Sequence, residues 1–355
     1  GSLPIGLSIN PSTGVISGSP SQLLSSQSVT IEAMSGTANE TVVLSFTVIT
    51  PISSFSYSQL SYALAKDESV SISPTINGSE PLFSITSGSL PIGLSLNPST
   101  GVIDGTPSEF VLSQSVTIEA SNQVNSQNVT LTFNVLTRIT SFSYPKNYYA
   151  CAKDESFSVS PTVNGDELSF SIISGSLPTG LFLNSTTGMI DGTPSEFVLS
   201  QLVTIKASNQ VSNQTFPLSF TILTRLTSFS YPKNYYALSK DNPVSITPSI
   251  DGDDLSFSIS SGSLPKGLSF NPSNGTISGT PSEFVLSQSV TIKASNEVSN
   301  DLSFSLSFTV LTRLTSFSYP NSTYILTRNS PFSITPIVNG DDLSFSISSG
   351  ILPSG

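Results

Sequence analysis

The sequence contains no histidine, no tryptophan and a single cysteine among its 355 residues. Without histidine there is no Ser-His-Asp triad, no imidazole acid or base, and no Cys₂His₂-type zinc site. A lone cysteine cannot form a disulfide within the chain. Charge is scarce as well: charged residues make up 10% of the chain, and 12 bases against 23 acids leave a net charge of −11. That balance argues against a nucleic-acid surface. No apolar run approaches the ~18 residues of a membrane span, and no signal peptide is present. The chain opens Gly-Ser-Leu-Pro rather than at Met, and reads as a piece of something longer.

What is abundant is hydroxyl: 76 Ser and 35 Thr supply 31% of the positions. They are arranged in a repeat. The Leu-Pro pair at Leu3-Pro4 returns at Leu90-Pro91, Leu177-Pro178, Leu264-Pro265 and Leu352-Pro353, at spacings of 87, 87, 87 and 88. Phe46, Phe133, Phe220 and Phe308 keep the same phase. About 87 residues is too long for a solenoid unit and suits a small autonomous β-domain. The recurring Thr137-Arg138-Ile139-Thr140 separates two strand-like runs and serves as a junction. It divides the chain into complete repeats over 52–138, 139–225 and 226–313, the C-terminal half of a repeat over 1–51, and the N-terminal half of another over 314–355.

Within a repeat the pattern has period two. In Leu255-Ser-Phe257-Ser-Ile259-Ser, and again from Phe304 to Val310, apolar residues alternate with hydroxyls, as in a strand with one face in a core. Asn164-Gly165, Asp251-Gly252 and Asn339-Gly340 read as type I′ hairpin turns. About seven short strands per repeat, punctuated by Pro and Gly, specify an all-β chain of tandem Ig-like β-sandwiches, arranged as beads on a rod.

One segment is more specific. LPIGLSLNPSTGVIDGTP from Leu90 recurs as LPTGLFLNSTTGMIDGTP from Leu177 and LPKGLSFNPSNGTISGTP from Leu264. It resembles the putative-Ig and dystroglycan-type cadherin-like modules, whose hallmark is LPxGLxxxxxTGxIxGTP. The resemblance covers every repeat. It implies an extracellular, tandemly repeated Ig-like domain of a surface or adhesive protein, with no catalytic residue in the motif. Its cadherin side implies Ca²⁺ at domain junctions, but these junctions offer Thr, Arg, Ser and Phe instead of converging carboxylates, so no metal or other cofactor is expected. The turn Asp251-Gly-Asp253-Asp254 reads as a solvated hairpin tip in preference to a weak cation site.

Several residues remain as candidates. Cys151 is in phase with Leu64 and Leu238, so it reads as a core position. Sequons stand at Asn39, Asn77, Asn128, Asn184, Asn213, Asn274 and Asn321, about as many as chance predicts; with the outward hydroxyls they are candidate sites for covalent glycans. Arg138, Arg225 and Arg313 are expected to hydrogen-bond or ion-pair across the domain boundaries, whereas the Thr50-Pro51-Ile52 junction would be stiffened by proline. Of the pairs Tyr148-Tyr149 and Tyr235-Tyr236, one ring should face the core and the other outward; core or edge packing is the favoured role, and Tyr149 and Tyr236 are the candidates for a ligand or subunit contact. Lys66, Lys153 and Lys240 raise the question of isopeptide bonds, but Arg328 breaks the series.

So few charges leave sheet edges weakly guarded, which points to glycan shielding or to packing between copies. The reading that follows is a non-enzymatic structural component of an extracellular filament or cell-surface stalk, partnered by copies of itself. The alternative is an adhesin whose repeats bind glycans or a protein. Gly350 is in phase with Gly1, so residues 314–355 of one subunit would complete 1–51 of the next if the chain were a protomer; a window on a longer array is the favoured reading.

Overall fold

The structure, a computed structural model, describes residues 1–353. It forms two compact units. The first comprises Gly1–Ser143, Thr162–Phe170 and Lys206–Thr215; the second comprises Tyr144–Pro161, Ser171–Ile205 and Phe216 onward. All regular structure among the described residues is strand.

The repeat 52–138 shows the architecture. A four-stranded sheet runs in the order Ser61–Ala65, Ser126–Leu136, Val111–Ser121, Leu82–Gly88. Its first pair is parallel and the others antiparallel. A three-stranded sheet, Leu94–Leu96, Ile103–Gly105 and Val70–Ile72, lies in a second layer, and Ser54–Tyr57 pairs with Pro74–Asn77. The strand orders recur in the repeats at 139–225 and 226–313. Alternation sends Val116, Ile118 and Ala120 inward against Leu131, Phe133 and Val135, all at most 1% exposed, with Ile103 closing the core from the other layer. Each such side chain contributes about 1.5–3 kcal/mol on burial, except the smaller alanine.

The recurring Leu-Pro-x-Gly motif is a close-packed hairpin. Leu94 to Leu96 pairs with Ile103 to Gly105, and the intervening turn is capped by Asn97, whose Oδ1 accepts the N–H groups of Ser99 and Thr100. A Cβ on Gly93 would lie 2.0 Å from the Thr106 carbonyl oxygen, and one on Gly105 would lie 2.1 Å from that of Gly93. The two glycines therefore let the chains approach more closely than any side chain permits. The turn is pinned from beneath by a buried tyrosine: Tyr57 donates its hydroxyl to Gly101 O at 2.6 Å, and Tyr144 and Tyr231 do the same to Gly188 and Gly275.

The Asn-Gly turns differ from the hairpin expectation. Thr162–Val163 and Ser169–Gly175, which flank Asn164-Gly165, belong to different sheets. Gly165 has φ +123° while Asn164 is not left-handed, so a type I′ turn is absent there. The edge question also has a structural answer. Leu82–Gly88 is an uncharged edge strand, but its register breaks at a bulge before Ile118, and the Phe83 N–H is bonded by Pro98 O. A bulge and a covering loop do here what charge does elsewhere.

Outside the complete repeats, the in-phase apolar residues lack their cover. Phe317 is 53% exposed and Phe345 56%, whereas Phe142 and Phe257 are buried.

Candidate functional site: the repeat junction

Leu136 is buried at the end of one sheet and Ile139 is buried under the next repeat. Only Thr137 and Arg138 lie between them. The same holds for Leu223 and Leu226, separated by Thr224 and Arg225. With both ends of a two-residue link buried, little torsional freedom remains.

The backbone of this link is held by side chains of the following repeat. The Thr137 N–H donates to Asp166 Oδ2 at 2.8 Å, and the Asn209 amide donates both to Thr137 O at 2.9 Å and to Asp166 O at 3.0 Å. The Ile139 N–H donates to Ser212 Oγ at 2.8 Å. Asn209 is itself fixed, because its Oδ1 accepts the N–H groups of Val211 and Ser212. The arrangement recurs at the next junction with Thr224, Asp253, Asn296, Leu226 and Ser299. It is present at the first with Thr50, Ser79, Asn122, Ile52 and Asn125. Thr312 N–H reaches Asp341 in the same way. The Thr50-Pro51-Ile52 junction is thus clasped by the same hydrogen bonds as the others, beyond any effect of its proline.

Arg138 belongs to both sides. Its carbonyl accepts a long bond from Asn164 Nδ2 of the following repeat at 3.4 Å, while its guanidinium turns back to Glu68 of its own repeat, with Nη2 to Oε2 at 2.7 Å. Arg225 pairs with Glu155 in the same way, at 2.9 Å. The arginine side chain therefore does not reach forward, as expected from the sequence; the pair lies within 52–138, and the bridging is completed by the arginine's own backbone. The hydrogen bond to Glu68, then its charge, holds the Arg138 guanidinium above its ordinary range. The hydrogen bond from Arg225 likewise depresses Glu155. At the third junction Asn242 occupies the phase of Glu68 and Glu155, so Arg313 lacks that acid.

The acidic turn stays solvent-accessible, as expected, but it is not a free tip: Asp251 and Asp253 are both engaged in the clasp. Asp251 accepts the N–H groups of Thr227 and Ser228, each at 2.9 Å, and the Thr227 hydroxyl. These donors, the hydroxyl first, pull its pKa down to about 2. Asn164 makes the equivalent bonds to Thr140 and Ser141 without a charge. Among the described residues no three His, Cys, Asp or Glu side chains converge as a metal site.

The tyrosine pairs are placed the opposite way from the choice made on sequence. Tyr149 stacks on Phe220 at 5.8 Å and Tyr236 on Phe308 at 5.7 Å, so these are the inward rings. Tyr148 and Tyr235 face outward, because the parallel pairing sets Tyr149 and Tyr236 opposite the buried phenylalanines. Tyr148 donates its hydroxyl to Glu297 of the following repeat. Cys151 is buried, and desolvation raises its thiol to about 11. All seven sequon asparagines are exposed, although Asn184 and Asn274 use their side-chain oxygens to cap turns. Asn122, Asn209 and Asn296 were not singled out by sequence reasoning; their exact recurrence in phase with the junction threonines was the available signal.

No curated protein matches the chain. Solved structures similar to it include an I-band fragment of titin, 12% identical with a TM-score of 0.43, covering 75% of this chain and 99% of the fragment. The N-terminal eight Ig domains of Down Syndrome Cell Adhesion Molecule are 14% identical with a TM-score of 0.44, covering 86% of this chain and 43% of that one. Extracellular domains 3–5 of Drosophila OTK are 10% identical with a TM-score of 0.37, covering 74% and 99%. The family described as "Putative Ig domain" matches four times, over residues 1–51, 48–136, 139–225 and 221–312. The chain belongs to the Putative Ig domain family, as a tandem array of its members.

Proposed function

We propose that these repeats form a mechanical spacer in an extracellular stalk or filament, with the sandwiches as stiff units and the clasped junctions transmitting direction between them. The observation that carries this reading is the clasp itself. A flexible tether needs free backbone at its joints, whereas here the joint's own N–H and C=O groups are bonded to the next repeat at residues 50–52, 137–139 and 224–226. The exposed sequons and hydroxyl rows suit a secreted surface carrying glycans. On this reading the protein needs no cofactor, and its partners are further copies of itself.

Spin labels in adjacent repeats test it by pulsed distance measurements. The wild-type distribution should be narrow and Asn209→Ala should broaden it; a wild-type distribution as broad as that of a free tether would overturn the reading. An adhesin is the second reading, favoured by the outward ring of Tyr235, which is 50% exposed. Glycan binding lost in Tyr235→Ala would support it.

A further inference from the structure

The three complete repeats act as an internal comparison, because each position has counterparts 87 or 88 residues away. On the strand Val198–Ser208, Val203, Ile205 and Ala207 are buried, so Leu202, Thr204 and Lys206 share the outer face. Leu202 is 69% exposed, where its counterparts are Ser115 and Ser289. Ile173, on the neighbouring edge strand, is 53% exposed where the others have Thr86 and Ser260. This repeat has exchanged hydroxyls for hydrocarbon on its outer surface, which stability alone does not favour.

The charge on this face also changes sign along the chain. The outward position is Glu32 and Glu119 in the first two cases, then Lys206 and Lys293. Lys293 is neutralised by Asp301, and Glu32 accepts a hydrogen bond from Asn39. Among the described residues, Glu119 and Lys206 have no ion-pair partner. Around Glu119 the face carries only uncharged groups: Ser84 and Asn128 stand opposite it, and the Thr117 and Thr130 hydroxyls meet at 3.0 Å.

We infer that the outer sheet face of 139–225 docks on the outer sheet face of 52–138 in a second copy of the chain, with Lys206 of one on Glu119 of the other and Leu202 as the apolar contact. An unpaired acid on one face and an unpaired base on the other select this pairing over like with like, since Glu119 against Glu119 or Lys206 against Lys206 would repel. The two faces are different surfaces and every copy carries both, so the contact is heterologous and able to propagate. A glycan on Asn128, directly opposite Glu119, would cover the face; occupancy there and this packing exclude each other. The inference names the partner within the filament reading, and its failure would leave a stiff, unassociated stalk.

Sedimentation over a concentration series, on unglycosylated protein, provides the test. Wild type should self-associate reversibly, less so at high salt. Lys206→Glu should weaken association by roughly tenfold or more, and Lys206→Glu combined with Glu119→Lys should restore it. Leu202→Ser, the residue found in the other repeats, should weaken it with melting unchanged. A wild type that stays monomeric throughout overturns the proposal, as does a double reversal as weak as the single one.

Discussion

Arg138 places its guanidinium on the carboxylate of Glu68, seventy residues earlier, while its own peptide group is held within the following repeat. Half of each side chain is exposed, so the pair adds little to folding and acts on orientation. Arg138→Ala and Glu68→Gln should leave melting unchanged within error yet broaden the distances between labels in 52–138 and 139–225. Raising the salt should have a similar, weaker effect on wild type. Arg313→Ala should do nothing of the kind, because Asn242 stands where the acid is needed.

Asn209 bonds two carbonyls and two N–H groups at once. Asn209→Ala leaves these groups short of partners in a half-buried loop, so we expect a loss of about 2–3 kcal/mol by denaturant unfolding. Asn209→Asp should also fail, since a carboxylate cannot donate to Thr137 O and Asp166 O.

Asp251 supplies a pH signature. Its folded pKa, about 2, lies below the ordinary 3.8, so its stabilisation is present above pH 4 and is lost as the pH falls towards 2. Asp251→Asn should keep the geometry, as Asn164 does in the same phase, and should flatten this part of the acid limb in thermal melts taken at intervals of pH. An unchanged acid limb would remove Asp251 from the account.

The buried tyrosines set the alkaline limit. Burial first, then the nearby Tyr236, pushes Tyr231 up to about 12; Tyr57 and Tyr144 are raised further. The neutral form is favoured by folding, so stability holds below pH 10 and declines as the pH rises above it. Spectrophotometric titration should show these rings ionising only together with unfolding. Tyr231→Phe, which leaves Gly275 O without its donor, should cost about 1–2 kcal/mol.

The strands, the alternation and the core were legible because burial follows a period of two: Leu131, Phe133 and Val135 are inward in the sequence pattern and in the structure. The hairpin of the Leu-Pro-x-Gly motif was legible because its asparagine and glycines act on neighbours a few residues away. The tyrosine pair was misassigned because alternation says only that the two rings face opposite ways. Which ring is inside depends on the parallel pairing of Tyr148–Ala152 with a strand some seventy residues later. The Asn-Gly turn misled for a related reason, since a type I′ hairpin requires the flanking strands to pair with each other, and here they join different sheets.

By itself, then, the sequence determined the repeat, the β class and the residues that fill each sandwich, because these depend on local periodicity and on composition. The tertiary structure decided the junction. Asp166 and Asn209 lie far from Thr137 in the chain, as Ser212 does from Ile139, and these groups meet only when the long hairpin folds back beside the turn after Val163. A hydrogen bond is satisfied by geometry at about 3 Å, and no spacing along the chain encodes that approach.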